Sequence, residues 1–373
     1  MGGKRGNNEG SIYPFRGTWA AAVSLSGGRR KVMYGRSREE VRRLLADALA
    51  AREQGTLNDS RGMTVGTFLD MWLSDVAKPS VRHWTLKGYE VHVRLHLKPA
   101  FGRLRLDRLE PAHVQKLMND KLRSGLSPKS VRYLRGTLRT ALKHAVLWGY
   151  LSRNPAALVD GPRVEPYEPQ PFTVEEARVF LESIKGDRLR ALYSVALTMG
   201  LRQGEALGLT WSDVDLEMGT LRVNKQLQRI DGQFLLVETK TRRGRRTLAL
   251  PGIALRELRD HLSGQQVESS LGGESWNRRN LVFTRRDGEP LDGTVVSHQF
   301  HRLLASAGLP QRRFHDLRHS CATLLQAQDV SPRVAMEILG HSHIAVTMNM
   351  YTKVVTALKR DAATRIDELM NDR

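Results

Sequence analysis

The N-terminal 60 residues have the apolar pattern of a small sheet packed on one helix. WAAAVSL (19–25) and RKVMYG (30–35) are rich in apolar and strand-forming residues, and the SGG between them is typical of a turn. The tetrapeptide SREE (37–40) has the form of a capping box, which predicts a helix from there to about Arg52. Such a module suits DNA binding, and a protein-binding or purely structural appendage fits the pattern equally well.

Apolar residues at helical spacing dominate the next hundred residues, 61–160. Four helices are predicted there: TVGTFLDMWLSDV (64–76), TLKGYEVHVRLHL (85–97), PAHVQKLMNDKLRS (111–124) and SPKSVRYLRGTLRTALKHAVLWG (127–149). The apolar row of the last helix consists of Val131, Leu134, Leu138, Leu142 and Val146. Beside it runs a basic row formed by Lys129, Arg132, Arg135, Arg139 and Lys143. A single row of charges is usually a solvated helix face. This row contains no acidic side chains between its basic ones, which favours contact with phosphates.

A proline-rich stretch separates this helical region from the rest of the chain. GPRVEPYEPQP (161–171) contains four prolines, which end helices and stiffen extended chain. A second capping box, TVEE (173–176), follows at once and predicts the first helix of another domain. We therefore expect a linker at 161–171 and a separate domain over 172–373.

Charge narrows the class of ligand. The 373-residue chain has 59 Lys plus Arg against 39 Asp plus Glu, a net charge of +20. Residues 61–160 carry 18 basic against 7 acidic side chains, whereas 161–373 carry a net charge of only +4. This excess favours a polyanion, most often nucleic acid. An anionic membrane surface is the alternative, but the sequence offers neither a clear basic amphipathic helix nor a lipid anchor.

The single cysteine, Cys321, excludes an internal disulfide and with it a disulfide-stabilised secreted protein. The N-terminus MGGKRGNNEGS lacks the apolar core of a secretory signal, and no apolar run approaches the ~20 residues that a membrane span needs. We expect a soluble, intracellular protein.

Two clusters of functional side chains occur in the first half of the last domain. GLRQGEALGL (200–209) places Arg202 after a helix ending at Gly200 and Glu205 in the first turn of the next helix. Taken alone, this is usually a surface ion pair. ETKTRRGRRTLAL (238–250) lies between two predicted strands, so Lys240 is expected at or near a hairpin turn, where an exposed lysine is also common.

Two further clusters lie in the second half. FHDLRHSCATLL (314–325) crowds His315, Arg318 and His319 into one helical turn, where like charges repel unless water or an anion compensates them. His315 and His319 have the spacing of zinc ligands, but an HExxH glutamate and a cysteine pair are missing, which disfavours a metal. ILGHSHIAVTMNMYTKV (338–354) places His341 directly after a predicted helix end and Tyr351 ten residues later. A lone tyrosine there is more often part of a core or its rim.

Together the four clusters resemble the tyrosine recombinases, or phage integrase family. G-L-R-x-G-E, a hairpin lysine, H-x-x-R, L-G-H and a tyrosine ten residues after that histidine follow in order over 173–360. The resemblance implies a multidomain α+β fold. Residues 1–60 would be a sheet-plus-helix arm-type DNA-binding module, 61–160 an all-α core-type DNA-binding domain, 161–171 the linker, and 172–373 a mainly α catalytic domain with a small antiparallel sheet.

The same resemblance implies roles for individual residues. Arg202 and Arg318 would bind the nonbridging oxygens of the scissile phosphate, and Tyr351 would attack it to form a 3′-phosphotyrosine. His315 would be the base, and His341 would donate a hydrogen bond. Lys240 would be the general acid, and Glu205 would support the arginines. Arg242 and Arg243 are the alternatives to Lys240. No cofactor and no metal are expected.

The resemblance also implies partners. The protein would bind double-stranded DNA at core and arm attachment sites, form a homotetramer in the synaptic complex, and work in the cytoplasm of a bacterial host, on the nucleoid. An excisionase or other directionality factor and a DNA-bending host protein would assist it. It would not bind a membrane. A type IB topoisomerase and a catalytically inactive DNA-binding regulator are the competing functions.

Overall fold

A computed structural model describes residues 10–24, 30–53, 62–165, 167–239, 244–272, 276 and 278–340. The chain divides into two compact units, Met1–Pro166 and Tyr167–Arg373. This division falls within the proline-rich stretch 161–171. The expected fold class, α+β with an N-terminal sheet module, is confirmed.

The first unit begins with a three-stranded antiparallel sheet and one helix: β1 Ser11–Phe15, β2 Thr18–Ser24, β3 Arg30–Gly35 and α1 Arg38–Glu53. The sequence pattern predicted β2, β3 and α1 but missed β1, which pairs with β2 across a two-residue turn. Both turn residues, Arg16 and Gly17, have positive φ (46° and 77°), so the turn is tight although its first residue is not the usual Asn or Asp. The predicted SGG turn lies outside the described residues.

Side chains from one face of the sheet and one face of α1 form the core of this module. The buried members of this core are Ala21, Val23, Val41, Leu45 and Ala48. The predicted capping box starts α1, since Glu40 N donates to Ser37 Oγ at 3.1 Å. The Glu40 carboxylate accepts from Arg36 N, not from Ser37 as the capping-box pattern would have it.

Helices make up the remainder of the first unit. Their bounds are α2 Val65–Trp72, α3 Lys78–Ser80, α4 His83–His92, α5 Lys98–Phe101, α6 Pro111–Arg123 and α7 Pro128–Leu147. π-helical turns over Leu73–Ala77 and Val93–Leu97 connect α2 to α3 and α4 to α5 without a break. All four predicted helices are therefore present. The apolar row of α7 is buried, except that Val146 is half-buried.

The second unit combines helices with small sheets. Its helices are α8 Val174–Ser183, α9 Arg190–Met199, α10 Gln203–Leu207, α11 Gly252–Gly272, α12 Gly293–Ser306, α13 Asp316–Ala327 and α14 Pro332–Leu339. Its strands are β4 Val214–Asp215, β5 Thr220–Val223, β6 Lys225–Ile230, β7 Gln233–Glu238 and β8 Arg246–Ala249. The capping box at the start of α8 has both of its hydrogen bonds. Helix α9 is buried along nearly its whole length and lies at the centre of the apolar core.

The strands on either side of Lys240 are present, but they do not pair with each other. Strand β7 pairs with β6, and β8 pairs with β5 in a separate sheet, β4-β5-β8. The prediction that these two strands form a hairpin is wrong: β7 is the second strand of a hairpin with β6, which turns tightly at Asp231 and Gly232 (φ 48° and 85°). Strand β7, which precedes Lys240 in the sequence, and strand β8, which follows it, therefore belong to different sheets.

Candidate active site

Arg202 is held at the junction of two buried helices. Helix α9 ends at Gly200, whose left-handed backbone (φ 61°) turns the chain sharply, and Arg202 is the N-cap of α10. Glu205 lies in the first turn of α10 and is only 2% exposed. One carboxylate oxygen accepts from Arg202 Nη1 at 2.6 Å, and the other accepts from Arg202 N at 3.1 Å. The Arg202 side chain remains 41% exposed, so it can still contact a ligand.

Arg318 lies on α13 and is almost fully buried, at 2% exposure. Its Nη1 donates a 2.8 Å hydrogen bond to the carbonyl oxygen of Gly200, and its Nη2 has no hydrogen-bond partner among the described residues. Burial and the neighbouring charges of Arg202 and Arg246 lower the pKa of Arg318 to about 9, against the attraction of Glu205. The side chain is therefore a buried cation at neutral pH whose Nη2 group can donate to an anion.

A third guanidinium at this site, that of Arg246 on β8, was not among the residues predicted from the sequence. Its Nη2 donates to Glu205 at 3.1 Å, and its side chain is only 7% exposed. Burial opposes the ionisation of Glu205, but the charges of Arg246 and Arg202 outweigh it and lower the pKa of that carboxyl. Alternation along β8 was the available signal: Arg246 falls on the same face as the buried Leu248 and Leu250.

His315 immediately precedes α13, with His319 one turn further along, and the two rings meet edge to face at 5.3 Å. His315 is accessible to solvent, but protein atoms around the ring limit its hydration. This desolvation, followed by the charges of His319, Arg318 and Arg202, lowers the pKa of His315 to about 4. The imidazole is thus neutral near pH 7 and has a nitrogen able to accept a proton.

The acidic residue between these cations, Asp316, anchors the beginning of the second unit and was not predicted from the sequence either. It is 1% exposed and accepts hydrogen bonds from Tyr167 Oη and from Arg313 N, both at 2.9 Å. The Arg313 guanidinium lies 3.4 Å from the centre of the Tyr167 ring. Four residues further along α13, Ser320 Oγ accepts from Phe172 N at 2.8 Å. Tyr167 and Phe172, at the start of the second unit, therefore hold the helix that carries Arg318.

Known protein families match residues in both units of the chain. The phage integrase family model matches residues 172–357, and the model for the phage integrase N-terminal SAM-like domain matches 64–122. A tyrosine recombinase XerC-like protein of Caldanaerobacter subterraneus subsp. tengcongensis is 30% identical over 360 residues, covering 91% of this chain and 92% of that protein.

The chain belongs to the phage integrase family of tyrosine recombinases.

Two solved structures have the same fold. The Tn1549 transposon integrase in complex with transposon right end DNA has a TM-score of 0.68 at 23% identity, covering 80% of this chain and 100% of that chain. A lambda integrase tetramer bound to a Holliday junction has a TM-score of 0.58 at 20% identity, covering 91% of this chain and 97% of that chain. Family membership makes the protein an enzyme of site-specific DNA recombination, and the resemblance recognised in the sequence is confirmed.

The structure brings four of the predicted site residues of this recombinase into one cluster. Arg202, Glu205, His315 and Arg318 interact through the hydrogen bonds and charges described above. Lys240, His341 and Tyr351, together with the alternatives Arg242 and Arg243, lie outside the described residues. The end of α14 is described: Gly340 has a left-handed backbone (φ 65°), and its carbonyl oxygen accepts a long hydrogen bond of 3.4 Å from Arg202.

The basic row predicted for DNA binding lies on α7 of the first unit. Lys129, Arg132, Arg139 and Lys143 are exposed, and Arg135 is half-buried with its Nε unpartnered among the described residues. A surface of this kind is available to a polyanion.

Within the described residues, three or more His, Cys, Asp or Glu side chains do not gather in a metal-binding group. No helix in that part of the chain combines the length and apolar character required to cross a membrane.

Proposed function

We propose that this recombinase cleaves and rejoins DNA at an attachment site through a 3′-phosphotyrosine formed by Tyr351. The observation that carries the proposal is the charge balance around Glu205. Three guanidiniums, those of Arg202, Arg246 and Arg318, gather around one buried carboxylate. This excess of positive charge is compensated when a phosphodiester enters the site.

The two arginines with remaining donors suit a phosphodiester. Charge grows on the nonbridging oxygens as a nucleophile adds to phosphorus, and planar guanidiniums can bind those oxygens with paired hydrogen bonds. The free Nη2 of Arg318 and the exposed side chain of Arg202 are such donors. Both stabilise the transition state more than the ground state, which is how they accelerate the reaction.

Proton transfers complete the proposed reaction. A phenol with an ordinary pKa of about 10 needs a base to become a good nucleophile, and we assign that role toward Tyr351 to the neutral His315. His341 donates a hydrogen bond to a phosphoryl oxygen. Lys240 protonates the leaving 5′-oxygen. The phosphodiester energy is retained in the phosphotyrosine, so the 5′-hydroxyl of a partner strand can reverse the step without ATP.

We assign the remaining parts of the chain to DNA recognition and assembly. Residues 61–160 bind the core site, with the exposed row on α7 against phosphates, and residues 1–60 bind arm sites. Residues 161–171 link these domains to the catalytic domain, 172–373. The DNA-bound Tn1549 integrase and the lambda integrase tetramer on a Holliday junction support DNA as the substrate and a tetramer as the synaptic assembly.

The biological role that we propose is integration of a mobile element into a bacterial chromosome and, with a directionality factor, its excision. A DNA-bending host protein assists assembly. The chromosome of the bacterial cytoplasm is then the place of action.

Recombination of a plasmid that carries two attachment sites tests the proposal. The sites come from sequencing the junctions of the integrated element. Purified protein should form a covalent protein–DNA adduct and exchange the strands of the two sites. Relaxation of a supercoiled plasmid without exchange would instead support a type IB topoisomerase, and binding without any adduct would support a catalytically inactive regulator.

A further inference from the structure

Each nitrogen of the Arg246 guanidinium donates to a protein oxygen among the described residues. Its Nε donates to the carbonyl oxygen of Ile338 at 2.7 Å, and its Nη1 donates to that of Gly244 at 3.1 Å. Its Nη2 donates to Glu205 Oε2 at 3.1 Å. Each nitrogen of the guanidinium is therefore used inside the protein, at 7% side-chain exposure.

This arrangement sets Arg246 apart from the two other guanidiniums of the site. Arg318 has a nitrogen without a partner among the described residues, and Arg202 is 41% exposed. Those two side chains can offer donors to an oxyanion, whereas the nitrogens of Arg246 already face three protein oxygens. With three of its five N–H groups bonded to protein oxygens and its side chain only 7% exposed, Arg246 is the least suited of the three to bind a phosphate directly.

The three acceptors belong to three segments that are far apart in the sequence. Glu205 holds the Arg202 guanidinium, Gly244 closely follows the segment that contains Lys240, and Ile338 lies three residues before His341. We propose that Arg246 is a positioning residue, which orients Arg202 through Glu205 and ties the ends of the two neighbouring segments to that pair. The inference rests on the proposed function, since it is the cleavage chemistry that needs these segments aligned.

Electrostatics gives the proposal a measurable signature. Glu205 anchors Arg202 only while its carboxylate is ionised, and the charge of Arg246 is the largest of the influences that lower its pKa. Removing that charge raises the pKa of Glu205. Protonation of Glu205 then frees Arg202 at a pH where the wild-type pair is intact. A residue that merely held the fold together would reduce the rate by the same factor at every pH.

Two variants separate the charge from the hydrogen bonds. Arg246→Gln removes the charge, whereas Arg246→Lys keeps a buried cation beside Glu205 but cannot reach three acceptors in one plane. Arg222→Lys is the matched control, because Arg222 lies on β5 in the same sheet, is exposed, and donates to the carbonyl oxygen of Ser212. Single-turnover formation of the covalent adduct is measured from pH 5 to 9 on a core site, with binding of the uncleaved site measured in parallel.

We expect both Arg246 variants to bind the core site within about threefold of wild type. Cleavage at pH 8 should fall ~10²-fold, as misplacement of a reacting group does. An acidic limb should enter the measured range of pH 5 to 9 in Arg246→Gln, whereas wild type and Arg246→Lys should show none there, because their Glu205 stays ionised. Arg222→Lys should match wild type throughout. If Arg246→Gln does not fold, as judged by its circular dichroism spectrum, the test uses Arg246→Lys. Its cleavage rate and its double-mutant cycle with Arg202→Ala are then the measurements that decide.

A double-mutant cycle with Arg202→Ala completes the experiment. If Arg246 acts through Arg202, the double variant should be no slower than about the slower of the two single variants. Three outcomes would overturn the inference. The first is a wild-type rate in both Arg246 variants, and the second is a loss confined to DNA binding. The third is a loss of cleavage rate that is equal at all pH values and multiplies with the loss caused by Arg202→Ala. Failure of the wild-type protein itself to form an adduct would instead overturn the proposed function, and the inference with it.

Discussion

The guanidinium of Arg318 donates a 2.8 Å hydrogen bond to the carbonyl oxygen of Gly200, two residues before Arg202. This single bond places the two phosphate-binding arginines of the proposed mechanism side by side, although 116 positions separate them in the sequence. It requires the left-handed turn at Gly200 that ends α9. The alignment of the site therefore depends on a glycine that itself carries no functional group.

Gly200→Ala should lower the free energy of unfolding of the catalytic domain more than replacement of another of its glycines, Gly186, by alanine. A Cβ at this position would lie 2.4 Å from Leu339 Cδ2 and 3.2 Å from Cys321 Sγ, both on buried side chains. The left-handed backbone costs a non-glycine residue roughly 1–2 kcal/mol, and overpacking costs typically ~1–3 kcal/mol more. Gly186→Ala is the matched control, because Gly186 also has positive φ but its Cβ would meet no atom within 4 Å. Equal losses in urea unfolding would contradict the packing argument.

Cleavage should not follow the titration of an ordinary histidine. The pKa of His315 is lowered to about 4, so the ring is neutral throughout pH 6 to 8 and loses its ability to accept a proton only as the pH falls towards 4. Single-turnover adduct formation should therefore be nearly as fast at pH 6 as at pH 7. A twofold or greater fall centred near pH 6.5 that disappears in His315→Gln would show that this histidine titrates normally.

Replacement of the 5′-bridging oxygen by sulfur tests the role of Lys240. General acid catalysis is typically worth ~10²–10⁴-fold in rate, and a thiolate leaves without being protonated. Lys240→Ala should be slow on ordinary DNA and close to wild type on the sulfur substrate. Arg202→Ala should remain slow on both substrates, because its proposed partner is a nonbridging oxygen. Rescue of Arg242→Ala or Arg243→Ala in place of Lys240→Ala would move the acid to that arginine position.

Deletion of residues 1–60 tests the assignment of the arm-binding module. The sheet and α1 enclose a core of their own, so the deletion should leave cleavage of a core site intact. Binding of arm-site DNA and integration of a full attachment site should be lost. Normal integration by the truncated protein would show that the module has another role.

Local features of the sequence predicted most of the fold. Capping boxes and apolar periodicity identified the starts of α1 and α8 and the four helices of residues 61–160, because these signals act within a few residues. The pairing of β8 was missed, since it depends on the distant strand β5 and not on the adjacent β7. Arg246 was missed for the same reason: its partners Glu205 and Ile338 become neighbours only in the folded chain.

Motif order identified the candidate site better than any local pattern did. Arg202, Glu205, His315 and Arg318 were selected by their spacing, and the structure brings them together around one buried carboxylate. Spacing does not reveal which cation has a free donor. That distinction between Arg318 and Arg246 came from burial and hydrogen bonds.

Mapping the covalent adduct is the most direct test of the central claim. Protein trapped on a nicked core site is digested with protease, and the peptide attached to DNA is sequenced by mass spectrometry. The account predicts that the modified residue is Tyr351, that it is linked to a 3′-phosphate with a free 5′-hydroxyl opposite, and that Tyr351→Phe binds the same site without forming the adduct. An adduct on another residue, linkage to a 5′-phosphate, or cleavage by the Phe variant would contradict it.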